Sequence, residues 1–532
     1  MLALLLLAQD VWAEAPALKK AVAVCSDDRG RAYALTESGQ VLRFAEKGAA
    51  PTVFAELPLK AAGGIAALGE EIWVAGEPSI WALKDRDGDG KADAVKPMFS
   101  GFTDLRGPAR GPDGKVYFCA GARGFRVLTQ EGERLEFGMG AVLRCDVDGA
   151  NLDVYAFGLK TPSKPTFDDL GDLFLGDEDR VIHALEGSDH GARGASRGEG
   201  LHVLPPAGPD SAKAVLDSVV LERDAGRLLW IAGEDFASLK DLKGKSLEDL
   251  AALMGHERRR VRLAAQLELV GRQGSTKTLV EAAKSGKERF ARIHAIWGLG
   301  QLYTRNALFP LLKDPDAEIR AQTARVLGDR RVGDARDGLV QALKDDSPRV
   351  RRYAATALGK LGRKEDAKAV AAMLRDNDGK DPALSHAGAH ALALIGSGSA
   401  LQELAKDPSP AVRAGVLVAM RRLARPDLDV FLDDPALALD AARAIHDLPI
   451  PGALPRLASK LGKLPDAATP RAIGANVRLG LAEPLVKYAT SSAPEALRLE
   501  AVRALGTWPA GREALAKVVD ALPPSLRAAA RE

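Results

Sequence analysis

Cysteine is scarce in this 532-residue chain: Cys25, Cys119 and Cys145 are the only three, none in a C-x-x-C pair and none in a haem-type C-x-x-C-H site. That excludes a zinc module, a redox dithiol and a disulfide-stapled scaffold, and an odd number leaves room for one intramolecular bridge at most. The plain reading is three free thiols buried in strands. Aromatic residues are also few, at 5% of the chain, which removes the stacking platforms that single-stranded nucleic acid needs, so no nucleic-acid partner is expected. No stretch beyond the N-terminus approaches the ~18 consecutive apolar residues of a membrane-spanning helix. What is present, 46% apolar and 27% charged residues, belongs to folded globular protein, and the length calls for two or more domains.

The net charge of +2 at pH 7 hides a division. Residues 1–240 hold 27 Lys and Arg against 37 Asp and Glu, and residues 241–532 hold 47 against 35, so the halves carry −10 and +12. Such asymmetry points to two domains of different character.

At the N-terminus, Leu2 to Ala8 is apolar and Ala13-Glu14-Ala15 is a small-x-small triplet, together resembling the end of a secretory signal peptide without its basic region. Residues 1–15 are therefore read as a signal-peptide remnant. The expected location is periplasmic or otherwise extracytoplasmic, with a cytoplasmic chain bearing a disordered tail as the alternative.

From residue 20 to 235, short strand-like runs are broken by turn dipeptides such as Arg29-Gly30 and Ser38-Gly39. Groups of about four such runs recur every 40 to 50 residues, the pattern of β-propeller blades. The length suffices for four or five blades, closed in part by residues 214–232. Residues 236–245 read as a linker. Within the second group, Asp85-Arg86-Asp87-Gly88-Asp89-Gly90-Lys91-Ala92-Asp93 places carboxylates at relative positions 1, 3, 5 and 9 and glycine at 6, like the start of a calcium loop. Position 12 is Lys96 and no helix flanks the motif, so it is not an EF-hand. Asp85, Asp87, Asp89 and Asp93 are candidate Ca²⁺ ligands; the alternative is a turn whose carboxylates bond their own backbone.

A family resemblance rests on Trp81 to Asp93, Gly101-Phe102, Gly111-Pro112-Asp113-Gly114-Lys115-Val116-Tyr117, Phe157-Gly158-Leu159-Lys160-Thr161-Pro162 and Leu170-Gly171-Asp172-Leu173-Phe174. These runs, within residues 20–200, resemble the propeller of planctomycete-type membrane-bound dehydrogenase proteins, relatives of the quinoprotein glucose and sorbosone dehydrogenases. The resemblance implies a propeller and, in active relatives, a pyrroloquinoline quinone cofactor and a histidine ahead of the Pro-Asp-Gly turn. Here that stretch is Arg106-Gly107-Pro108-Ala109-Arg110, and the relatives' Gly-Leu-Arg-Asn-Pro is Gly158-Leu159-Lys160-Thr161-Pro162. The quinone is therefore not expected, and an inactive or degenerate dehydrogenase is the alternative reading of function.

Other candidate chemistry is thin. His183, His190 and His202 lie in one region with Asp177, Asp179 and Asp189, a conceivable metal set. Gly194-Ala195-Ser196-Arg197-Gly198 matches G-x-S-x-G but lacks the strand and helix of a nucleophile elbow, and reads as a loop.

After Ser246 the period changes to helical repeats. Residues 262, 292, 320, 351, 385, 413, 438, 471 and 498 anchor nine segments 25 to 34 residues apart, many opening on an apolar residue followed by Arg and reaching Leu-Gly about seven residues later. Residues 246–532 resemble HEAT-like repeats of the short kind found in phycobilisome lyases. A bilin-lyase activity would need a nucleophile or acid in the groove, and the repeats hold no cysteine. Asp314-Pro315, Asp346-Ser347-Pro348 and Asp407-Pro408-Ser409-Pro410 are expected to cap the helices that follow. Arg320, Arg351, Arg352 and Arg413 form either an Asp–Arg ladder along a solvent edge or a basic groove for an acidic partner, which could be the acidic first half itself. His386 and His390, four apart on one helix, have a zinc-compatible spacing but read as a packed or solvated pair.

The expected architecture is thus a multidomain β plus α chain: a shortened β-propeller-like domain at 20–235 and an α-solenoid of HEAT-like repeats at 246–532. The expected function is a non-enzymatic protein-interaction scaffold, with partners of acidic character.

Overall fold

Gly- and Asp-rich turns cut the first half into strands, twenty among the described residues, labelled in chain order, and after residue 246 helices follow in pairs. The computed structural model describes residues 8–121, 123–178, 180–190, 219–222, 227–231, 236–239, 241–304, 306–447 and 449–531. The chain divides into two compact units, residues 1–330 and 331–532.

The first unit contains four propeller-blade sheets. The first is β2 (Ala21–Ser26), β3 (Ala32–Thr36), β4 (Gln40–Phe44) and β5 (Thr52–Glu56); the second is β6 (Ala61–Leu68), β7 (Glu71–Glu77), β8 (Ser79–Lys84) and β9 (Ala94–Ser100). The third pairs β10 (Arg106–Arg110), β11 (Val116–Ala120), β14 (Gly140–Cys145) and β15 (Asp153–Leu159), with the hairpin β12 (Phe125–Leu128) and β13 (Arg134–Phe137) between β11 and β14. The fourth is β16 (Thr166–Phe167), β17 (Leu173–Asp177) and β18 (Arg180–Ala184). All pairings inside these sheets are antiparallel. Side chains alternate between the two faces of each strand, so every sheet feeds two apolar layers. Tyr33, Leu35, Ile65 and Val74 fill the layer between the first and second sheets. Trp73, Ile80, Phe102, Val116 and Phe118 fill the next, and Tyr117, Cys119, Leu173 and Leu175 the one after. All three cysteines are buried in strands.

A fifth sheet joins both ends of the strand-rich region: β1 (Ala8–Glu14) pairs antiparallel with β20 (Arg227–Ile231), which pairs with β19 (Val219–Glu222). The expected closing stretch thus supplies two strands. The segment read as the end of a signal peptide supplies the third, with Ala13 and Ala15 buried beside Leu18, Ala34 and Phe44. An apolar run ending in small residues is as suitable for a buried strand as for a leader. The first strands of the blades approach closely: a Cβ at Gly64 on β6 would collide with the carbonyl oxygen of Gly107 on β10.

Nine helices correspond to the nine anchors among the described residues: α1 (Arg259–Val270), α2 (Arg289–Gln301), α3 (Ala317–Asp329), α4 (Pro348–Leu361), α5 (Pro382–Ile395), α6 (Pro410–Arg422), α7 (Ala438–His446), α8 (Thr469–Arg478) and α9 (Glu495–Leu505). A shorter helix or 3₁₀ segment lies between consecutive members. α1 packs on α2 and α2 on α3; in the second unit α4 to α9 pack in chain order. The Leu-Gly pairs serve this stacking, since a Cβ at Gly359 would press on the Ala391 backbone of α5.

The expected aspartate caps sit one step earlier than the sequence suggests. Asp345 and Asp407 accept from the backbone N–H groups of Ser347 and Ser409, at 2.9 Å each, so they shape the turn two residues on, while Ser347 and Ser409 occupy the N-cap positions. Asp314 does the same for Asp316, and Asp316 is the residue that caps α3, through Glu318 N–H. Proline at the first helical position of α4, α5 and α6 fits the expected pattern.

Candidate functional site

The first strand of each blade ends in a tight turn; three of these turns meet the first three helical repeats, and the β6–β7 turn meets Lys243 just ahead of them. At the β2–β3 turn, Arg260 donates to Ser26 Oγ (2.9 Å), Ser26 O (2.8 Å) and Asp28 Oδ1 (3.2 Å). At the β6–β7 turn, Lys243 pairs with Glu70 at 2.7 Å; hydrogen bonds from Lys243 and Lys84 hold that carboxyl down to about 2. At the β10–β11 turn, Gln266 and Gln301 donate to Pro112 O at 2.9 and 3.3 Å. At the β16–β17 turn, Arg262 pairs with Asp169, Gln322 donates to Leu170 O (2.8 Å) and Arg325 donates to Gly171 O (2.9 Å).

Behind these contacts lies a buried polar chain with one consistent set of donors. Arg262, fully buried, donates to the carbonyls of His256 and Glu257 at 2.8 Å each, and its guanidinium lies 4.2 Å from the centre of the Phe290 ring. Its Nε–H points at His294 Nε2 (3.3 Å); His294 Nδ1–H is 2.8 Å from Gln266 Oε1, and Gln266 then donates to Pro112 O. The chain requires a neutral imidazole. Burial, with the charges of Arg262 and Arg259, holds His294 well below the usual histidine range. In parallel, Trp297 Nε1 donates to Gln322 Oε1 at 2.9 Å. The segment expected to be a linker is tied in as well: Arg272 donates to Leu242 O (2.6 Å), Lys243 O (2.8 Å) and Lys245 O. That is the physical reason why the compact units divide after Arg330 rather than at 236–245.

The predicted site residues fall as follows. Carboxylate oxygens of Asp85, Asp87 and Asp89 lie within 4.8 Å of one another, close enough to share a cation. Asp93 instead accepts from the N–H groups of Arg86 (2.7 Å) and Asp87 (3.3 Å), with the Arg86 N–H foremost in holding its carboxyl below the usual range. Asp85 also accepts from Gly88 N–H (2.7 Å) and Gly90 N–H (3.1 Å), so the loop is braced from inside. Arg320 donates to the carbonyls of Asp314 and Pro315, Arg351 to those of Asp345 and Asp346, and Arg413 to those of Asp407 and Pro408. Arg413 also pairs with Asp434 at 2.6 Å. Each arginine thus reaches back to the loop that starts its own helix. Arg352 is 8% exposed and stacks over Tyr353 at 4.7 Å.

Among the histidines, His183 stacks on Phe174 and lies 3.7 Å from Asp172, while His190 is buried and bonded to Ser188 (2.8 Å). His202, Asp179 and residues 194–198 lie outside the described residues. His386 and His390 stack with ring centres 5.9 Å apart, and Arg422 engages His390 Nδ1 at 2.8 Å, which agrees with a packed pair. Arg106 and Arg110 end the inner strand β10, where the quinoprotein resemblance would place a histidine; Arg106 pairs with Asp104 at 2.8 Å. No histidine lies on β2, β6, β10 or β16. No helix among the described residues is long and apolar enough to cross a membrane.

Residues 305–393 match the family model of HEAT repeats, and residues 49–195 match a domain of unknown function, DUF7133. No curated protein matches the chain. Among solved structures, the PQQ-bound aldose sugar dehydrogenase from Streptomyces coelicolor is 19% identical, covering 37% of this chain and 70% of its own at a TM-score of 0.31. The CpcE–CpcF complex of phycocyanin lyase from Nostoc is 20% identical, covering 49% of this chain and 96% of its own at a TM-score of 0.24.

Proposed function

We propose that the protein is a non-enzymatic scaffold that binds another protein through its HEAT-repeat helix layer. One observation carries this reading: α1, α2 and α3 already grip protein turns through buried Arg and Gln side chains that donate to carbonyls and to Asp169. The layer is built to recognise backbone and carboxylate, and the same helix type continues in α4 to α9. A partner of acidic character suits the positive charge of the second half. The reading includes a Ca²⁺ ion braced by Asp85, Asp87 and Asp89, and an extracytoplasmic location, supported by the apolar Leu2 to Ala8 run.

The test is affinity capture with the full chain, followed by light-scattering chromatography. A complex of defined stoichiometry is expected, and dye reduction over a sugar panel with added pyrroloquinoline quinone and calcium should stay at background. Turnover above background, with no stoichiometric partner, would replace the scaffold by the dehydrogenase alternative. For the ion, chelation should lower the melting temperature of the native chain, and Asp87→Asn should abolish the difference. An unchanged melting temperature removes calcium from the reading.

A further inference from the structure

Repeat register in the first unit shows which helix positions recognise a turn. Counted from the arginine near the start of each helix, Arg292 in α2 and Arg320 in α3, the contacting residues fall two, five and nine positions on. In α3 these are Gln322, on Leu170 O, and Arg325, on Gly171 O. In α2 they are Trp297, packed against Gly171, and Gln301, on Pro112 O. Gln322, Arg325 and Trp297 meet at the aspartate- and glycine-rich turn Asp168-Asp169-Leu170-Gly171, and Gln301 reaches its neighbour Pro112.

Counted in the same way from Arg498, α9 carries Glu500 and Arg503 at the first two positions, and Thr507, just past its end, holds the third. All three line an open groove of about 400 Å³ between α8 and α9. Its other wall is Ile473, Gly474 and Val477 of α8, and a Cβ at Gly474 would collide with the His446 ring, so glycine keeps that wall low. Two exposed arginines stand at the groove, Arg478 and Arg503. Arg478 donates to His446 O at 2.6 Å, and Arg503 has no hydrogen-bond or ion-pair partner among the described residues. Arg503 holds the register position that Arg325 uses on the Gly171 carbonyl.

We propose that the α8–α9 groove is a docking site for an acidic tight turn of a partner protein, with Arg503 and Arg478 on its carboxylate and carbonyl oxygens and Ile473 and Val477 beneath its apolar residue. The occupant has the chemistry of the turn that α3 holds within the chain: a carboxylate, outward carbonyls and a small residue that allows close approach. Two arginines against the single carboxylate of Glu500 leave the rim net positive, and with the apolar wall they fit that occupant by charge and shape. The proposal deepens the scaffold reading by naming the segment of the partner that binds.

The probe is a fluorescein-labelled cyclic peptide closing Phe167-Asp168-Asp169-Leu170-Gly171-Asp172-Leu173, titrated into the full chain at about 0.05 M salt, where surface charges are weakly screened. Saturable binding is expected, weakened about tenfold by Arg503→Glu or Arg478→Glu, and lost when the peptide's three aspartates become asparagine. The exposed control Arg531→Glu should change nothing, and unchanged melting temperatures show that the variants fold. No saturation up to about 1 mM peptide, beyond which affinity is negligible, or binding indifferent to Arg503→Glu, overturns the proposal. A concentration-dependent dimer abolished by Arg503→Glu overturns it in favour of a second copy of this chain. If the partner found by affinity capture stays bound to the Arg478→Glu/Arg503→Glu chain, this groove falls while the scaffold reading stands.

Discussion

Replacing Arg262 by methionine should loosen the contact between α1 and the β16–β17 turn while leaving the packing of the side-chain stem in place. The guanidinium donates to the carbonyls of His256 and Glu257 at 2.8 Å each and pairs with Asp169. Hydrogen bonds from a charged donor contribute about 1.5 to 3 kcal/mol each. Two effects offset part of that loss: a buried charge no longer has to be desolvated, and Asp169, with its side chain 54% exposed, can return to water. The net cost comes to about 3 kcal/mol, or roughly 100-fold in the local opening equilibrium. Amide hydrogen exchange on the full chain reads this directly, because exchange in the native state follows local opening. Residues 168–172 and 256–262 should exchange about 100-fold faster in the variant, with residues 348–531 unchanged. Asp169→Asn should cost much less, about 1 kcal/mol. Acceleration of less than about threefold, under 1 kcal/mol, would refute the assignment of Arg262 as the central tie.

The remaining expectations concern single residues. His294 is neutral when folded, whereas in the unfolded chain it titrates near 6.5, so below that pH the unfolded state takes up a proton that the folded state refuses. The stability contribution is complete above pH 6.5 and falls by about 1.4 kcal/mol per pH unit as the medium is acidified; denaturant titrations from pH 7.5 to 5.5 should show this slope, and His294→Gln should flatten it. Gly64→Ala puts a methyl group against Gly107 O and should cost upwards of about 3 kcal/mol, seen as a large drop in melting temperature, whereas Gly132→Ala, at φ 84° with open space around it, should cost about 1 kcal/mol; equal losses would show that the inner strands do not pack as described. Cys25, Cys119 and Cys145 are buried, and burial pushes the thiols of Cys119 and Cys145 well up. A thiol reagent should therefore label no cysteine in the native chain and all three in denaturant.

Much of the architecture was legible because it repeats. Strand groups spaced by Arg29-Gly30 or Ser38-Gly39 became sheets, and the nine anchors became nine helices, since local turn chemistry and apolar periodicity are written in neighbouring residues. The contact between the blade turns and α1 to α3 was not legible as such. Arg262 and Asp169 are far apart in sequence and each looks like an ordinary surface charge. Two signals did point there. One was the opposite charge of the halves, now located in Arg260 with Asp28, Lys243 with Glu70 and Arg262 with Asp169. The other was the presence of Gln266, His294 and Gln322 at positions where a repeat helix would bury apolar residues; a buried polar group needs a partner, and nothing nearby in sequence offers one. The aspartates ahead of each repeat helix were legible as turn formers but misplaced by a step as caps, because Asx bonds and N-caps favour the same residue type.

The attachment of the repeats of residues 246–330 to the propeller rests on Arg260, Arg262, Gln266, Gln301, Gln322 and Arg325. It is tested most directly by inserting a site-specific protease sequence between Gly244 and Lys245, cleaving the folded chain and passing it over a sizing column at about 0.15 M salt, where long-range charge effects are screened. Co-elution of the two fragments is expected, persisting in part at about 0.5 M salt because the Gln266 and Gln322 bonds to Pro112 O and Leu170 O are uncharged. Separate elution of the fragments at the lower salt would contradict it.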